Sequence, residues 1–150
     1  MRWQWCKLAE LGPAQLHTLF AAREAVFVVE QQCAYQELDE LDLEAEHLIS
    51  WQDKHVAAYL RVLSPGVKYA EPSMGRILTS KAHRGTGLGR ELVSRGLQYV
   101  DETYPGSALR ISAQLYLERF YQSFGFVTAS EPYPEDGIPH IEMLRSPQCG

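Results

Sequence analysis

The residues whose types and spacing best suit chemistry lie between positions 84 and 90. Arg84-Gly85-Thr86-Gly87-Leu88-Gly89 places three glycines in five positions, between a predicted strand ending near Ser80 and a predicted helix opening near Leu88. Without Cβ atoms the backbone can approach a ligand closely. A helix start also presents N–H groups that have no intrahelical acceptor, together with a partial positive charge. A diphosphate suits such a place without any metal, and Arg84 and Arg90 add cationic donors. Two nucleotide-binding signatures fail on spacing. A P-loop requires lysine and then serine or threonine after its last glycine, where this chain has Arg90-Glu91. A dinucleotide fingerprint requires glycine at position 90 and opens the first strand–helix–strand unit of its fold, whereas this loop follows several predicted strands. A tight strand-to-helix turn that binds nothing is the plain alternative for a glycine run on its own.

A second constellation stands downstream: Ala113-Gln114, then Phe120-Tyr121-Gln122-Ser123-Phe124-Gly125-Phe126. Taken in this order, the two motifs resemble the GNAT superfamily of acyl-CoA-dependent N-acyltransferases, the first as its pyrophosphate loop and the second as its other signature. With Val26-Phe27-Val28-Val29-Glu30-Gln31 and Glu135-Asp136-Gly137-Ile138-Pro139-His140-Ile141 added, the chain is similar to the small bacterial ElaA-like branch over nearly its whole length.

The resemblance implies an N-acetyltransferase that moves an acetyl group from acetyl-CoA to a primary amine by direct attack, with no covalent enzyme intermediate. It assigns the strand of Ile77, Leu78 and Thr79 to the pantetheine amides, which complete an open sheet edge as a peptide would. It assigns the N–H groups of Gly85, Thr86, Gly87, Leu88, Gly89 and Arg90 to the pyrophosphate, and Tyr121 to the role of general acid. A phenol with an ordinary pKa of ~10 can protonate the departing thiolate without a large mismatch. Gln114 stands where asparagine is more usual, so its amide reaches one methylene further toward the pantetheine. A base must also take a proton from the attacking ammonium, and Glu30, His47 and His140 are the candidates, each touching the acceptor. Surface acid, strand-end donor and turn hydrogen-bonder are their ordinary alternatives. No Cys/His cluster has metal-ligand spacing, so no metal is expected. A non-catalytic acyl-CoA binding or sensing module is the alternative function. It would keep the glycine loop and need neither Tyr121 nor a base.

The elements that must position these residues are legible as hydrophobic periods. Leu16, Leu19, Phe20, Arg23 and Phe27 recur at helical spacing after Pro13, and the helix ends near Val29, in a run of β-favouring side chains. Segments 3–7, 47–52, 56–63, 74–80, 109–113, 126–129 and 141–144 read as strands, with a tight turn at Asp53-Lys54. Segments 88–100 and 115–124 read as helices. Residues 37–46 carry six acids in ten positions, with leucines between them. They read as a solvated acidic face, or as a rim that attracts a cationic amine. The expected fold is α/β, one domain over residues 1–150, with a mixed, mostly antiparallel sheet of six or seven strands and helices on both faces.

Composition sets the outer limits. The 150 residues suffice for one domain, and 14 lysines and arginines against 19 acids leave a net charge of −5, which disfavours a nucleic-acid partner. Apolar runs are far shorter than the ~20 residues of a membrane span, and the polar Gln4 and Lys7 interrupt any signal-peptide pattern. Three widely spaced cysteines, Cys6, Cys33 and Cys149, suit a reducing, cytoplasmic setting, with Cys149 in a flexible tail. The resemblance further implies a homodimer. The acceptor stays open among small amines, amino acids, peptide N-termini and lysine.

Overall fold

The computed structural model describes residues 1–147, and the expected flexible tail with Cys149 lies outside them. Eight strands form one sheet: β1 (Arg2–Cys6), β2 (Glu46–Gln52), β3 (His55–Leu63), β4 (Ser73–Thr79), β5 (Leu109–Gln114), β6 (Phe126–Thr128), β7 (Tyr133–Glu135) and β8 (Ile138–Arg145). Their order is β1-β2-β3-β4-β5-β8-β6, with β7 on the other half of β8. Eight strands stand where six or seven were expected, because 133–135 pairs with β8 instead of forming a proline-rich loop. Pro134 lies opposite Pro139, so the two residues that lack a donor face each other at the margin of the sheet. The β2–β3 hairpin turns at Asp53, whose φ of 55° is a left-handed conformation that aspartate tolerates.

β3 is buried along nearly all its length because helices cover both faces. On one side α1 (Pro13–Glu24) sets Leu19 against Ile49, Tyr59 and Leu78. On the other, α2 (Leu88–Thr103) packs Leu92, Val93 and Leu97 against Leu48, Leu60 and Met74. Past Glu24 the first helix widens into a π-helical stretch, Ala25–Glu30, which coincides with the run Val26, Val28 and Val29. A third, short helix, α3 (Glu118–Gln122), leads into β6.

The strongest departure from the sequence reading concerns residues 37–46. The leucines of this segment do not pin it: Leu43 is 74% exposed, while Glu37 and Asp42 are buried. The cause lies in two arginines placed by the hydrophobic pattern where no water reaches them, Arg23 on the buried stripe of α1 and Arg61 on β3. A buried guanidinium requires counter-charge. Arg23, 0% exposed, meets Asp42 at 2.8 Å and Glu37 at 2.9 Å, and Arg61 meets Asp42 at 2.9 Å and Asp39 at 2.6 Å. His47 closes the cluster. Its Nε2 lies 2.8 Å from the Asp42 carbonyl, which can only accept, so Nε2 carries the hydrogen and Nδ1 accepts from the Tyr59 hydroxyl at 2.6 Å.

The cluster sets two stability predictions, and an exposed ion pair on α2 a third. Arg23→Met leaves Asp42 with Arg61 alone and Glu37 with Arg76 alone, one buried positive charge short, and should cost about 3–5 kcal/mol in denaturant unfolding. Glu91→Ala, which removes only the exposed i,i+4 pair with Arg95, should cost less than about 0.5 kcal/mol. Burial holds His47 below the ordinary histidine range, so the unfolded chain binds its proton first and stability falls as pH drops below ~6.5. Burial works against ionisation of Asp39 and Asp42, yet their arginine bonds keep both below the usual carboxylate range, which adds a second loss below pH ~4. His47→Gln, whose amide reproduces the neutral ring's bonds, should abolish the first loss in a Tm-against-pH series and retain the second.

Candidate active site

β4 and β5 are the one parallel pair of neighbouring strands among the described residues, and their register holds only at Ser73 opposite Arg110. Beyond that point they part, and a cavity of about 570 Å³ opens between them. Met74, Gly75, Arg76, Ile77, Leu78 and Thr79 form one wall and Ile111, Ser112, Ala113 and Gln114 the other. β3 pairs with the far edge of β4, so the edge toward the cavity runs on to Thr79 with no strand against it. Main-chain donors and acceptors on such an edge are the groups that would take up an extended chain containing amides.

β4 does not run straight. Its register against β3 shifts between Tyr59 and Arg61, and Arg76 adopts φ 51°, a left-handed conformation that costs a side-chain-bearing residue about 1–2 kcal/mol. The bulge is clamped from outside the sheet. Arg76 donates through Nε to Glu37 Oε1 at 2.8 Å and through Nη2 to the Glu37 carbonyl at 2.9 Å, and its guanidinium lies over the Tyr35 ring. Glu37 thus joins Arg23 in the buried cluster to Arg76 in the cavity wall. Sequence reasoning missed Arg76 and Tyr35, since neither belongs to a motif or a period.

The glycine loop closes one end. Gly85 and Gly87 have φ of 77° and 84°, and Gly87 caps α2, so turn geometry alone demands glycine at both. Gly89 is different: it sits in the first turn of α2, and a Cβ there would meet Thr79 at an ordinary 3.7 Å. The chain's own packing does not require glycine at 89, yet the residue lines the cavity and keeps the space over the helix start open for a ligand. The two arginines expected as cationic donors are engaged elsewhere. Arg84 reaches the Thr79 carbonyl and Glu30, at 2.6 Å from the carboxylate, and Arg90 bonds Ser123 and stacks on Phe124. The loop's main-chain N–H groups lie beside these guanidiniums as further donors. The cleft fits an acyl-CoA in kind: an unpartnered strand edge, a helix start with its cradle open, and room between them.

Tyr121 lines the middle of the cavity, edge-on to Phe120 and Phe126. Burial pushes its hydroxyl well above the ordinary tyrosine value, which keeps the phenol protonated. Gln114, at the end of β5, lines the same space. So do Glu30 and His140, but not His47. That residue is 0% exposed inside the Arg23 cluster and cannot reach an acceptor, because the strand face it occupies turns toward α1 and the 37–46 segment. Of the acidic segment, Glu37 and Asp42 are spent on arginines, Glu40 and Glu44 stay exposed, and none of residues 37–46 lines the cavity. Glu135, Asp136 and Ser112 also line the cavity. The Asp136-Gly137 turn marks a hairpin in the sequence, but nothing there says that its arms face the cleft. Cys6 and Cys33 are free and buried. Burial, with Glu10 and Glu46, pushes the Cys6 thiol up to about 11. No group of three or more His, Cys, Asp or Glu side chains among the described residues is arranged to hold a metal ion, and no helix among them is long and apolar enough to cross a membrane.

Comparison with known proteins agrees with this geometry. Residues 9–146 match the model of the acetyltransferase (GNAT) domain. A UPF0039 protein of Synechocystis is 42% identical over 96% of this chain and 94% of its own length. Protein ElaA of Escherichia coli is 40% identical over 97% and 96%, and its crystal structure superposes with a TM-score of 0.89. The crystal structure of an acyl-CoA N-acyltransferase from Pseudomonas aeruginosa, 41% identical, covers 97% of this chain and 99% of its own with a TM-score of 0.91.

The clamped bulge makes a prediction whose sign is diagnostic. Arg76→Gly and Arg76→Ala both lose the bonds to Glu37, but only alanine retains the left-handed strain. Unfolding should rank wild type above Arg76→Gly, and that above Arg76→Ala by about 1 kcal/mol. In a regular strand the order of glycine and alanine would reverse.

Proposed function

Because this chain belongs to the GNAT acetyltransferase family, whose members are acyl-CoA-dependent transferases, we propose that it moves an acetyl group from acetyl-CoA to a primary amine by direct attack. The observation that carries this reading is the convergence, on one cavity, of the open β4 edge, the start of α2 and the protonated Tyr121.

Acetyl-CoA supplies a thioester carbon open to a nucleophile. The chain's residues hold and polarise it. The Ile77, Leu78 and Thr79 backbone pairs with the pantetheine amides, and Gln114 stands opposite them across the cleft. The N–H groups of Gly85 to Arg90 hold the diphosphate, helped by the helix's partial charge. The bulge at Arg76 turns main-chain N–H groups of β4 toward the thioester oxygen, where they stabilise the charge that builds as the amine attacks. Tyr121 then protonates the departing sulfur. Its raised proton affinity is no obstacle, because the same buried surroundings destabilise the thiolate as well. The acceptor enters from the side of Glu30 and His140. Free, buried Cys6 and Cys33 support a cytoplasmic setting, the net charge of −5 supports an amine over a nucleic acid as partner, and a homodimer is the assembly we expect.

Purified protein with acetyl-CoA and a broad amine library, read for free thiol and product mass together, tests the activity. Heat of acetyl-CoA binding without thiol release would point to a sensor. Tyr121→Phe should lower kcat by ~10²–10⁴-fold and leave the acetyl-CoA Kd unchanged. Gly87→Glu, which sets bulk and negative charge against the diphosphate, should abolish the binding heat.

A further inference from the structure

We propose that Glu135 is the group that deprotonates the acceptor amine, with His140 behind it as the residue that positions its carboxylate and stores the proton. The proposal rests on the acetyl-transfer reading above and names a catalytic residue for it. Three strands bring the parts together. In the β5–β8 register His140 lies beside Gln114, and in the β7–β8 register it lies beside Tyr133, so its ring is fixed between two strands at the wall of the cavity.

Hydrogen-bond logic assigns the protons. His140 Nδ1 is 2.7 Å from the Ile138 carbonyl, which can only accept, so the hydrogen of the neutral ring sits on Nδ1. Nε2 then carries a bare lone pair, 3.2 Å from Glu135 Oε2. Two lone pairs face each other unless a proton lies between them, and the proton that fits is the one an ammonium must lose. The His140 side chain is only 9% exposed, whereas that of Glu135 is 41% exposed, so the carboxylate meets the acceptor first. Ser112 steadies the other carboxylate oxygen from 3.5 Å and is itself bonded to the Tyr133 hydroxyl. The other carboxylates in the cavity are worse placed. Glu30 is bound to Arg84 at 2.6 Å, and Asp136 sits at the exposed turn with no side-chain partner to take a proton onward.

The step balances. One N–H bond of the ammonium breaks and its electron pair becomes the nucleophile. The proton passes through Glu135 to His140 Nε2, and the pair ends as imidazolium and carboxylate, neutral together where it had been −1. Proton return to solvent runs back through Glu135. The groups around the pair are Ser112 on β5, Tyr133 on β7, Glu142 on β8 with its partner Arg110, and Lys68 and Tyr69 on the 64–72 loop. Burial raises Tyr133, which therefore stays a neutral phenol.

The test is the pH dependence of kcat/KM with an alkylamine acceptor identified in the library assay, for wild type, Glu135→Gln and His140→Gln, with acetyl-CoA Kd measured by calorimetry. Wild type should lose kcat/KM on the acid side as the pair takes up a proton from solvent. Glu135→Gln should lower kcat/KM at neutral pH by ~10²–10⁴-fold, abolish that acid-side limb, and leave the Kd unchanged. Its deficit should shrink toward pH ~10, where the amine is already free base and needs no acceptor for its proton. His140→Gln should give a smaller loss with a displaced limb. Glu135→Gln with a full limb, or with a deficit that is the same at every pH, overturns the proposal while transfer itself stands. Wild-type protein that binds acetyl-CoA and acylates no amine overturns the transfer reading, and this step with it.

Discussion

A guanidinium sealed from water has to be met by carboxylates, and in this chain that requirement runs outward from Arg23. The hydrophobic stripe of α1 carries Arg23 into the interior, and Arg23 draws Glu37 and Asp42 in after it. The 37–46 segment is thereby folded onto the sheet with its acids inside and Leu43 outside. Glu37 Oε1 and the Glu37 carbonyl, both in contact with Arg23, also accept from Arg76. The bulge of β4 is thus held by a charge cluster centred on another element. That bulge lies just past the point where β4 and β5 separate, so the buried charge cluster holds the cavity wall at the place where the sheet parts.

The cleft divides its labour by chemistry. In the proposed mechanism main-chain groups supply binding at the donor end, where the strand edge and the start of α2 need no particular side chain beyond the absence of one at Gly89. In the proposed reaction side chains carry the proton traffic: Tyr121 in an aromatic nest on the donor side, and the Glu135–His140 pair on the acceptor side. Beside the loop's N–H groups, Arg84 pairs with Glu30 and Arg90 lies over the Phe124 ring.

Much of this was legible in the amino-acid order. The β2–β3 hairpin, the helix at α2 and the glycine loop each follow from local period and turn chemistry, and the family from two motifs in sequence. What escaped was long-range. Tyr133–Glu135 becomes a strand only because β8 lies beside it, and its prolines argue locally for a loop. The acids at 37–46 look solvated until Arg23 and Arg61 are seen to share one interior. His47 was grouped with candidate bases because a histidine opening a strand carries no mark of what lies opposite, here Tyr59 and the Asp42 carbonyl. Arg76 carries no signal, and Glu135 stands only within the family-like stretch 135–141 with no role marked, since a bulge register and a carboxylate facing a histidine are properties of pairs of strands.

The central claim is that the parted strands and the start of α2 together hold an acyl-CoA with its thioester at Tyr121. A crystal structure of the protein with acetyl-CoA tests it most directly. The account predicts the diphosphate on the N–H groups of Gly85 to Arg90, the pantetheine amides paired along Ile77 to Thr79, and the sulfur within hydrogen-bonding reach of the Tyr121 hydroxyl. Coenzyme bound outside the cleft, or a thioester directed away from Tyr121, would contradict it.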